Sequence, residues 1–545
     1  MLAAFAAEPK IYPQRWVYVR NSLAEDAHLA RLEEIARVAS EHGLNGMLLA
    51  AGMDQIDLKP PPYLERLKKL KEIGERYRLE IIPAIFGPGY GGSILSHDRN
   101  LAAGLPVRGA LFVAGEGEAS FEIDSPPGLA NGGFEQREGQ RLAAWTDQDA
   151  PGEKSFIDSE VFRQGAASLR LEQFAAEPAG RAMVVQEIRV QPYRCYRFRV
   201  WIKTDGVAPR TLFKIRAMTP DGKREMARFE PQLPATGDWQ EFTGAFNSWY
   251  AGRIRLHVGV SGGRAGRLWV DDLRVEEVGL MNVVRRPGAP VRVRNDKSGE
   301  LYEEGRDYEP IADPRLSFRW THSSPVIRLT AASSIRTGDR LRVDYFHGTT
   351  IYRDQVVVCM SEPKLYEIWA AQIPLIEQHL APKKYFFNMD EVRIGGHCEA
   401  CKRRGVGMAE ILGDCVTRGY KMVRAANPKA DVFVWSDMLY PNHNARNEYY
   451  MVDGDFTGAW NHVPKDLIIA CWYFQRRDLS LEHFSKLGFR TLAGAYYDAD
   501  DLDNPKGWLD SLDRAPGAEG IMYTTWQNKY GLLAGFGDLV SKRGR

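Results

Sequence analysis

Two rhythms of apolar and polar positions alternate along the chain. Between residues 15 and 86, "RWVYVRN", "LNGMLLA" and "LEIIPAIF" are short apolar runs of strand type. Between them lie "LARLEEIARVASEHG" and "YLERLKKLKEIGERY", whose apolar residues recur at helical spacing; the first stops at Gly43. This βαβαβ order predicts a parallel sheet with helical crossovers. From about residue 119 the period drops to two. "SLRLEQF", "AMVVQEIRV", "RCYRFRVWIKT", "TLFKIRAMT", "WQEFTGAF", "RIRLHVGV" and "RLWVDDLRVEEV" are short alternating strands punctuated by Gly, Pro, Asp and Asn. That pattern predicts a β-sandwich or jelly roll. A smaller β unit follows, carrying "VRVRNDKSGELYEEGRDY" and "VIRLTAASSIRTGDRLRVDYFHG".

After about residue 356 the α/β rhythm returns. Strands "KYFFNMDE", "DVFVWSDML", "DLIIACWYF", "TLAGAYYDA" and "GIMYTTWQ" are interleaved with helices such as "KLYEIWAAQIPLIEQHL" and "MAEILGDCVTRGYKMVRAAN". Three strands before the interruption and five after it make eight, the count of a (β/α)8 barrel. The expected architecture is therefore an α/β (TIM) barrel interrupted after strand 3 by a jelly-roll sandwich and a second small β domain. Its parts are 1–118, the first part of the barrel; 119–280, the sandwich; 281–355, the small β domain; and 356–545, the second part of the barrel. A doubly wound open sheet is the rival, but no G-x-x-x-x-G-K-[ST] opens a helix.

Composition narrows the function class. The 545 residues carry 72 basic and 71 acidic side chains, a net charge of +1. This balance offers no electrostatic case for nucleic acid or an anionic membrane. No segment approaches the roughly 20 apolar residues needed to span a bilayer. The N-terminal "MLAAFAAEPK" reads either as what is left of a trimmed leader, implying a secreted or periplasmic protein, or as a tail. Six cysteines are too few for a disulfide scaffold. Thirteen Trp, 23 Tyr and 23 Phe supply aromatic faces suited to stacking on sugars, and equally suited to large cores.

In such a barrel, reactive groups sit at the C-terminal ends of the strands. Strand 4 ends in Asn388-Met389-Asp390-Glu391 and strand 5 in Trp435-Ser436-Asp437. Strand 6 ends in Cys471-Trp472-Tyr473, strand 7 in Tyr496-Tyr497-Asp498, and strand 8 in Thr525-Trp526-Gln527-Asn528. Carboxylates walled by aromatics suit a sugar pocket: acids protonate a glycosidic oxygen, and rings stack on C–H faces. A neighbouring ionised Asp390 is expected to raise the Glu391 carboxyl and keep its proton for general-acid work. Adjacent strand residues point to opposite faces, so both acids reach one pocket only where the strand bends.

With "YFFNMDEV", "VFVWSDML", "LIIACWYF" and "IMYTTWQ" in this order, residues 363–439 and the C-terminal 180 residues resemble glycoside hydrolase family 20, the β-N-acetylhexosaminidases. The resemblance implies a retaining, exo-acting glycosidase on β-linked N-acetylhexosamines, with the substrate's acetamido oxygen as nucleophile and no cofactor required for catalysis. It assigns Asp390 and Glu391 to catalysis. Arg20, Asn388, Trp435, Asp437, Trp472, Tyr496, Tyr497, Asp498, Trp526 and Gln527 are assigned to an oligosaccharide or polysaccharide substrate. The sequence departs from that family in having Phe387-Asn388-Met389 before the acid pair and no His in "GMLLAAGMD". A β-glycosidase on sugars without the acetamide, using Asp437 or Asp498 as second carboxylate, and a non-catalytic sugar-binding protein are the competing readings.

The insert, opening with "LANGGFEQ" and closing with "LWVDDLRVEE", resembles carbohydrate-binding modules of families 4 and 9. That resemblance implies a candidate structural Ca2+ held by Glu135 with Asp271 or Asp272, and Trp145, Trp239 and Trp249 as candidate sugar platforms or sandwich core. Behind strand 4, His397, Cys398 and Cys401 form an H-C-x-x-C knuckle, with Cys415 as a conceivable further metal ligand. Packed thiols or a local disulfide are the alternatives.

Overall fold

A computed structural model describes residues 10–319 and 324–543. Residues 1–9, most of the stretch read as a leader remnant, lie outside them. Eight strands close a barrel: β1 (Gln14–Arg20), β2 (Gly46–Ala50), β3 (Glu80–Ile85), β4 (Lys384–Phe387), β5 (Asp431–Trp435), β6 (Ile468–Cys471), β7 (Arg490–Tyr496) and β8 (Ala518–Thr524). Every neighbouring pair is parallel, including β8 with β1. The helices packed around it are α1 (Asp26–Glu41), α2 (Pro61–Arg76), α3 (Pro363–Leu380), α4 (Met408–Ala426), α5 (Arg477–Lys486), α6 (Asp503–Leu512) and α7 (Leu533–Ser541). Between β5 and β6 the described chain has no α-helix, only three-residue 3-10 turns and the two-residue strand Met451–Val452.

Local chemistry explains several boundaries. α2 and α3 begin with Pro in the first turn, where a missing N–H costs nothing. α1 ends before Gly43 at φ +80°, and a Cβ there would lie 2.5 Å from Ser541 Cβ. Glycine thus lets the end of α1 meet α7, bringing the two ends of the barrel together. Inside the barrel, alternate strand residues interlock: Trp16, Leu48, Ile82, Phe386, Phe433, Ile468, Leu492 and Met522 are all buried. Trp16 meets Phe433 edge-on at 4.6 Å, so the lumen is packed core rather than a pore.

The excursion between β3 and β4 is nested. Strands Gly104–Ala114 and Glu118–Phe121 join Arg292–Asn295, Leu301–Tyr302, Ile327–Arg328 and Arg340–Gly348 in one six-stranded sheet. Residues 104–113, expected in the first part of the barrel, therefore pair with the strand at 340–348, which lies beyond the sandwich (Val113 with Arg340, Gly104 with Gly348). Alternation reports which face is buried and not which strand is the partner, so the sequence pattern could not show this pairing. The sandwich hangs from this sheet as two five-stranded antiparallel sheets. One contains Cys195–Ala208 and Ala265–Val278; the other contains Ala182–Arg189 and Arg253–Val260. No helix among the described residues is long and apolar enough to cross a membrane.

Candidate active site at the barrel mouth

A cavity of about 890 Å³ opens at the C-terminal ends of the strands. Arg20, Asn388, Asp390, Glu391, Trp435, Trp472, Tyr497, Asp498, Trp526 and Gln527 all line it. Its floor is the upper layer of the barrel core. Trp435 packs on Phe386 at 4.7 Å and on Trp526 at 6.1 Å, and Trp526 lies 5.3 Å from Tyr18. Trp472 and the exposed Tyr497 are parallel, 6.1 Å apart. Asn388 accepts from the Trp435 indole (3.3 Å), and Arg20 donates to the Trp526 carbonyl (3.3 Å).

Both acids of strand 4 reach this one cavity because the chain bends between them: Glu391 has φ +50°. The bend is held on both sides. The Glu391 N–H donates to Asp437 Oδ2 (2.9 Å), and its carbonyl accepts from Gln355 Nε2 (2.8 Å). The same Gln355 amide donates to the Gly89 carbonyl (2.8 Å), while Gln355 Oε1 accepts from Arg393. Gly89 lies so close that a Cβ would sit 1.9 Å from the Asp390 carbonyl oxygen.

The two carboxyls have different surroundings. Glu391 pairs with Arg393 (2.8 Å) and accepts a hydrogen bond from the Tyr90 hydroxyl. Arg393 in turn lies over the rings of Tyr352 and Tyr450, at 5.0 and 4.9 Å. Among the described residues Asp390 makes no ion pair, and its Oδ1 is buried without a hydrogen-bond partner. Burial, then the neighbouring charges of Asp437 and Glu391, push its carboxyl well above the usual range. Burial thus favours the neutral form of Asp390, whereas the sequence reading expects the retained proton on Glu391. A salt bridge from the acid pair to Arg393 is a reading the sequence also allows; the structure forms it with Glu391 alone.

Two other expected substrate ligands do not face the cavity. Asp437 is fully buried below it, where its carboxylate holds Glu391 N–H and the Asn444 side-chain amide (2.8 Å). Burial also pushes Asp437 up, against the pull of those two donors. Tyr496 is buried and stacked on Tyr523 at 4.1 Å. Asp498 lines the cavity, but its carboxylate is occupied: it accepts from Thr525 Oγ1 (2.5 Å), Trp526 N–H (2.9 Å) and Gln527 N–H (3.2 Å).

The structure adds cavity residues that the sequence reading did not reach: Tyr90, Tyr352, Gln355 and Asp54. Asp54 holds the N–H groups of Phe86 (2.8 Å) and Gly87 (3.0 Å) at the end of β3, and burial lifts its carboxyl to about 6. Non-glycine residues in the left-handed region mark four strand ends: Phe86 (+57°), Glu391 (+50°), the run Tyr496 (+81°), Tyr497 (+61°), Asp498 (+63°), and Asn528 (+57°). Such conformations persist only where the surroundings over-determine them, and they gather at functional sites.

The acids expected to hold Ca2+, Glu135 with Asp271 or Asp272, have protein partners of their own, and the charges of Glu135 and Asp271 act on each other. Asp272 makes a two-pronged pair with Arg274 (2.8 and 3.0 Å), and the Glu135 carboxylate takes the Ala166 N–H (3.0 Å). Asp271 is buried and accepts from Arg163 and Gln164 N–H. Trp145 is core, stacked on Phe134 at 5.4 Å, while Trp239 is half-buried on its strand. Trp249 is buried between Arg224 and the edge of His397, at the seam with the barrel. His397 Nε2 is bonded to the Met451 carbonyl (2.6 Å), and Cys415 sits on α4 beside Tyr366.

No family model and no curated protein sequence matches the chain. Among solved structures, the chain is similar to a rhamnosidase from Novosphingobium sp. PP1Y at 11% identity, over 94% of this chain and 55% of that one (TM-score 0.34). It is also similar to the module TmCBM61 in complex with β-1,4-galactotriose at 19% identity, over 28% of this chain and 99% of that one (TM-score 0.22). A CBM4 structure is similar at 16% identity, over 27% and 98% (TM-score 0.21). These likenesses are too low to decide an activity, which has to be argued from the site.

Proposed function

We propose that the chain is a retaining glycoside hydrolase that removes a terminal β-linked N-acetylhexosamine by substrate-assisted catalysis. The observation that carries this reading is the pair Asp390 and Glu391 on one wall of an aromatic cavity, one acid buried with an unpartnered oxygen and the other ion-paired with Arg393. Hydrolysis with an enzyme nucleophile needs carboxyls flanking the anomeric carbon. Neighbouring residues approach from one wall. The other acids lining the cavity are committed elsewhere: Asp54 and Asp498 to backbone N–H groups, and Asp354 to Arg319 (2.9 Å). A nucleophile carried by the substrate's own 2-acetamido group removes the need for a second wall. For the same reason the two-carboxylate β-glycosidase reading ranks behind it.

In this mechanism Asp390 donates its proton to the glycosidic oxygen as the acetamido oxygen attacks C1. The Glu391 carboxylate, positioned by Arg393 and Tyr90, accepts the acetamide N–H and offsets the positive charge of the oxazolinium ion. Water then opens that ion, with Asp390 as the base. Trp435, Trp472 and Trp526 wall the sugar. Residues 352–355 of the returning excursion close one side, which favours a chain end over an internal sugar. No cofactor enters any step.

The test is a panel of nitrophenyl glycosides. Hydrolysis of the N-acetyl-β-glucosaminide or N-acetyl-β-galactosaminide, with none of the glucoside, galactoside or fucoside, is the expected result; the reverse overturns the reading. Within it, Asp390→Asn should retain kcat/KM for a dinitrophenyl substrate, whose leaving group needs no proton, while kcat falls with the lost base, and should lose kcat/KM on alkyl glycosides. Glu391→Gln should lose both. The opposite pattern would return the acid role to Glu391.

A further inference from the structure

The cysteine knuckle behind β4 acquires a third member that its spacing did not announce. Cys359 Sγ lies 3.5 Å from Cys398 Sγ and 3.7 Å from Cys401 Sγ, and those two are 3.6 Å apart. All three are buried, and none of the described cysteines is in a disulfide. They form the only group of three or more ligating side chains that converge among the described residues. Zinc–thiolate bonds of about 2.3 Å put the sulfurs of a tetrahedral site roughly 3.8 Å apart, close to the triangle seen here. A disulfide would need sulfurs at about 2.05 Å, and three thiols would leave one unpaired.

Two further observations point to a cation. The three thiols border a hole of about 10 Å³, room for a single small species. The guanidinium of Arg286 is held by Glu362 (2.7 Å) and the Ala102 carbonyl (2.8 Å), while its buried Nη2 has no partner. Its charge acts on Cys359 and Cys398. Three thiolates around a divalent ion carry one surplus negative charge, which an adjacent guanidinium offsets.

We propose that Cys359, Cys398 and Cys401 bind one zinc ion as thiolates, with a water or the buried, unpartnered Ser361 hydroxyl at the fourth corner. Binding releases the three thiol protons to solvent, and no oxidant or reductant is involved. The site joins two segments remote in sequence. Cys359 stands where the excursion returns, its N–H on the Leu101 carbonyl (2.9 Å). Cys398 and Cys401 stand in the loop that follows the acid pair. The ion would therefore fix the segment carrying Gln355 to the loop carrying Glu391 and Arg393. The inference is independent of the reaction proposed above.

The test is the metal content of the full chain, purified without chelators from zinc-supplemented medium. The expected result is about one zinc per chain, falling below about a tenth in Cys359→Ser and Cys398→Ser and unchanged in Cys415→Ser. Should the serine variants fail to fold, X-ray absorption on the wild-type protein decides. Three sulfurs near 2.3 Å and one lighter donor support the site. Metal-free protein with three titratable thiols, a Cys398–Cys401 disulfide, or zinc retained by both serine variants would overturn it.

Discussion

Asp498→Asn separates two accounts of the same carboxylate. If Asp498 organises the end of β8, the asparagine keeps one oxygen for Thr525 and Gln527 and turns an amide NH2 toward the Trp526 N–H, donor against donor. One hydrogen bond to a charged acceptor is lost, worth about 1.5–3 kcal/mol, and a backbone donor is orphaned. Asparagine tolerates the left-handed conformation at φ +63°, so strain is not a confounder. Urea unfolding should show a loss of about 2–3 kcal/mol. In the proposed mechanism Trp526 walls the sugar, so KM should rise about tenfold, equivalent to about 1.4 kcal/mol, with kcat within about tenfold of wild type. If Asp498 were the nucleophile, kcat would instead fall by roughly four orders of magnitude with stability nearly unchanged, and azide would restore turnover. That second pattern would refute the positioning role and the substrate-assisted mechanism with it.

Three other outcomes follow from the site. Gly89→Ala should cost at least about 3 kcal/mol and most of the activity, because its Cβ would overlap the Asp390 carbonyl oxygen; Gly92→Ala, where the space is open, should be near neutral on both counts. Asp54 has its carboxyl raised from 3.8 to about 6, so its neutral form is the one the fold favours, and the stability this gives is present below about pH 4 and lost as pH rises through 6. The stability difference between Asp54→Asn and wild type should therefore move in the variant's favour by about 3 kcal/mol between pH 4 and 8, and a flat difference would contradict it. Asp390 is raised by burial and by Asp437, so Asp390→Asn should be more stable than wild type at pH 8, with the gain fading as acid supplies the proton; urea titrations at the two pH values measure this.

The eight barrel strands and the order of their ends were readable because parallel strands wrapped by helices leave strong periodic signals. The acid pair stood out for the same reason. What stayed hidden is everything that depends on which remote segments meet. Tyr90, Gln355 and Arg393 carry no motif; they matter because the loop after β3 and the return of the excursion fold against the bend at Glu391. Asp437 and Tyr496 sit at strand ends as expected, yet they turn inward, since the strand-end pattern does not fix the path of the chain beyond the last paired residue. Cys359 looked like an ordinary buried thiol, because its two partners lie about 40 residues further on.

The nested excursion also bears on how such a chain is made. β3 finds its second neighbour only when Phe386 and Phe387 arrive opposite Ala84 and Ile85, about 300 residues later. At about 5–20 residues per second, a ribosome leaves that edge uncovered for roughly 15–60 s. During that interval the nascent three-stranded fragment offers unpaired backbone groups to any other strand. The sandwich, by contrast, emerges whole within the same window and can complete both of its sheets. The sheet that carries it is sealed only by the strand at 340–348, shortly before β4 emerges. Synthesis therefore proceeds from the inside of the nest outward, and β4, the strand that leads into the acid pair, is the piece that ends the wait.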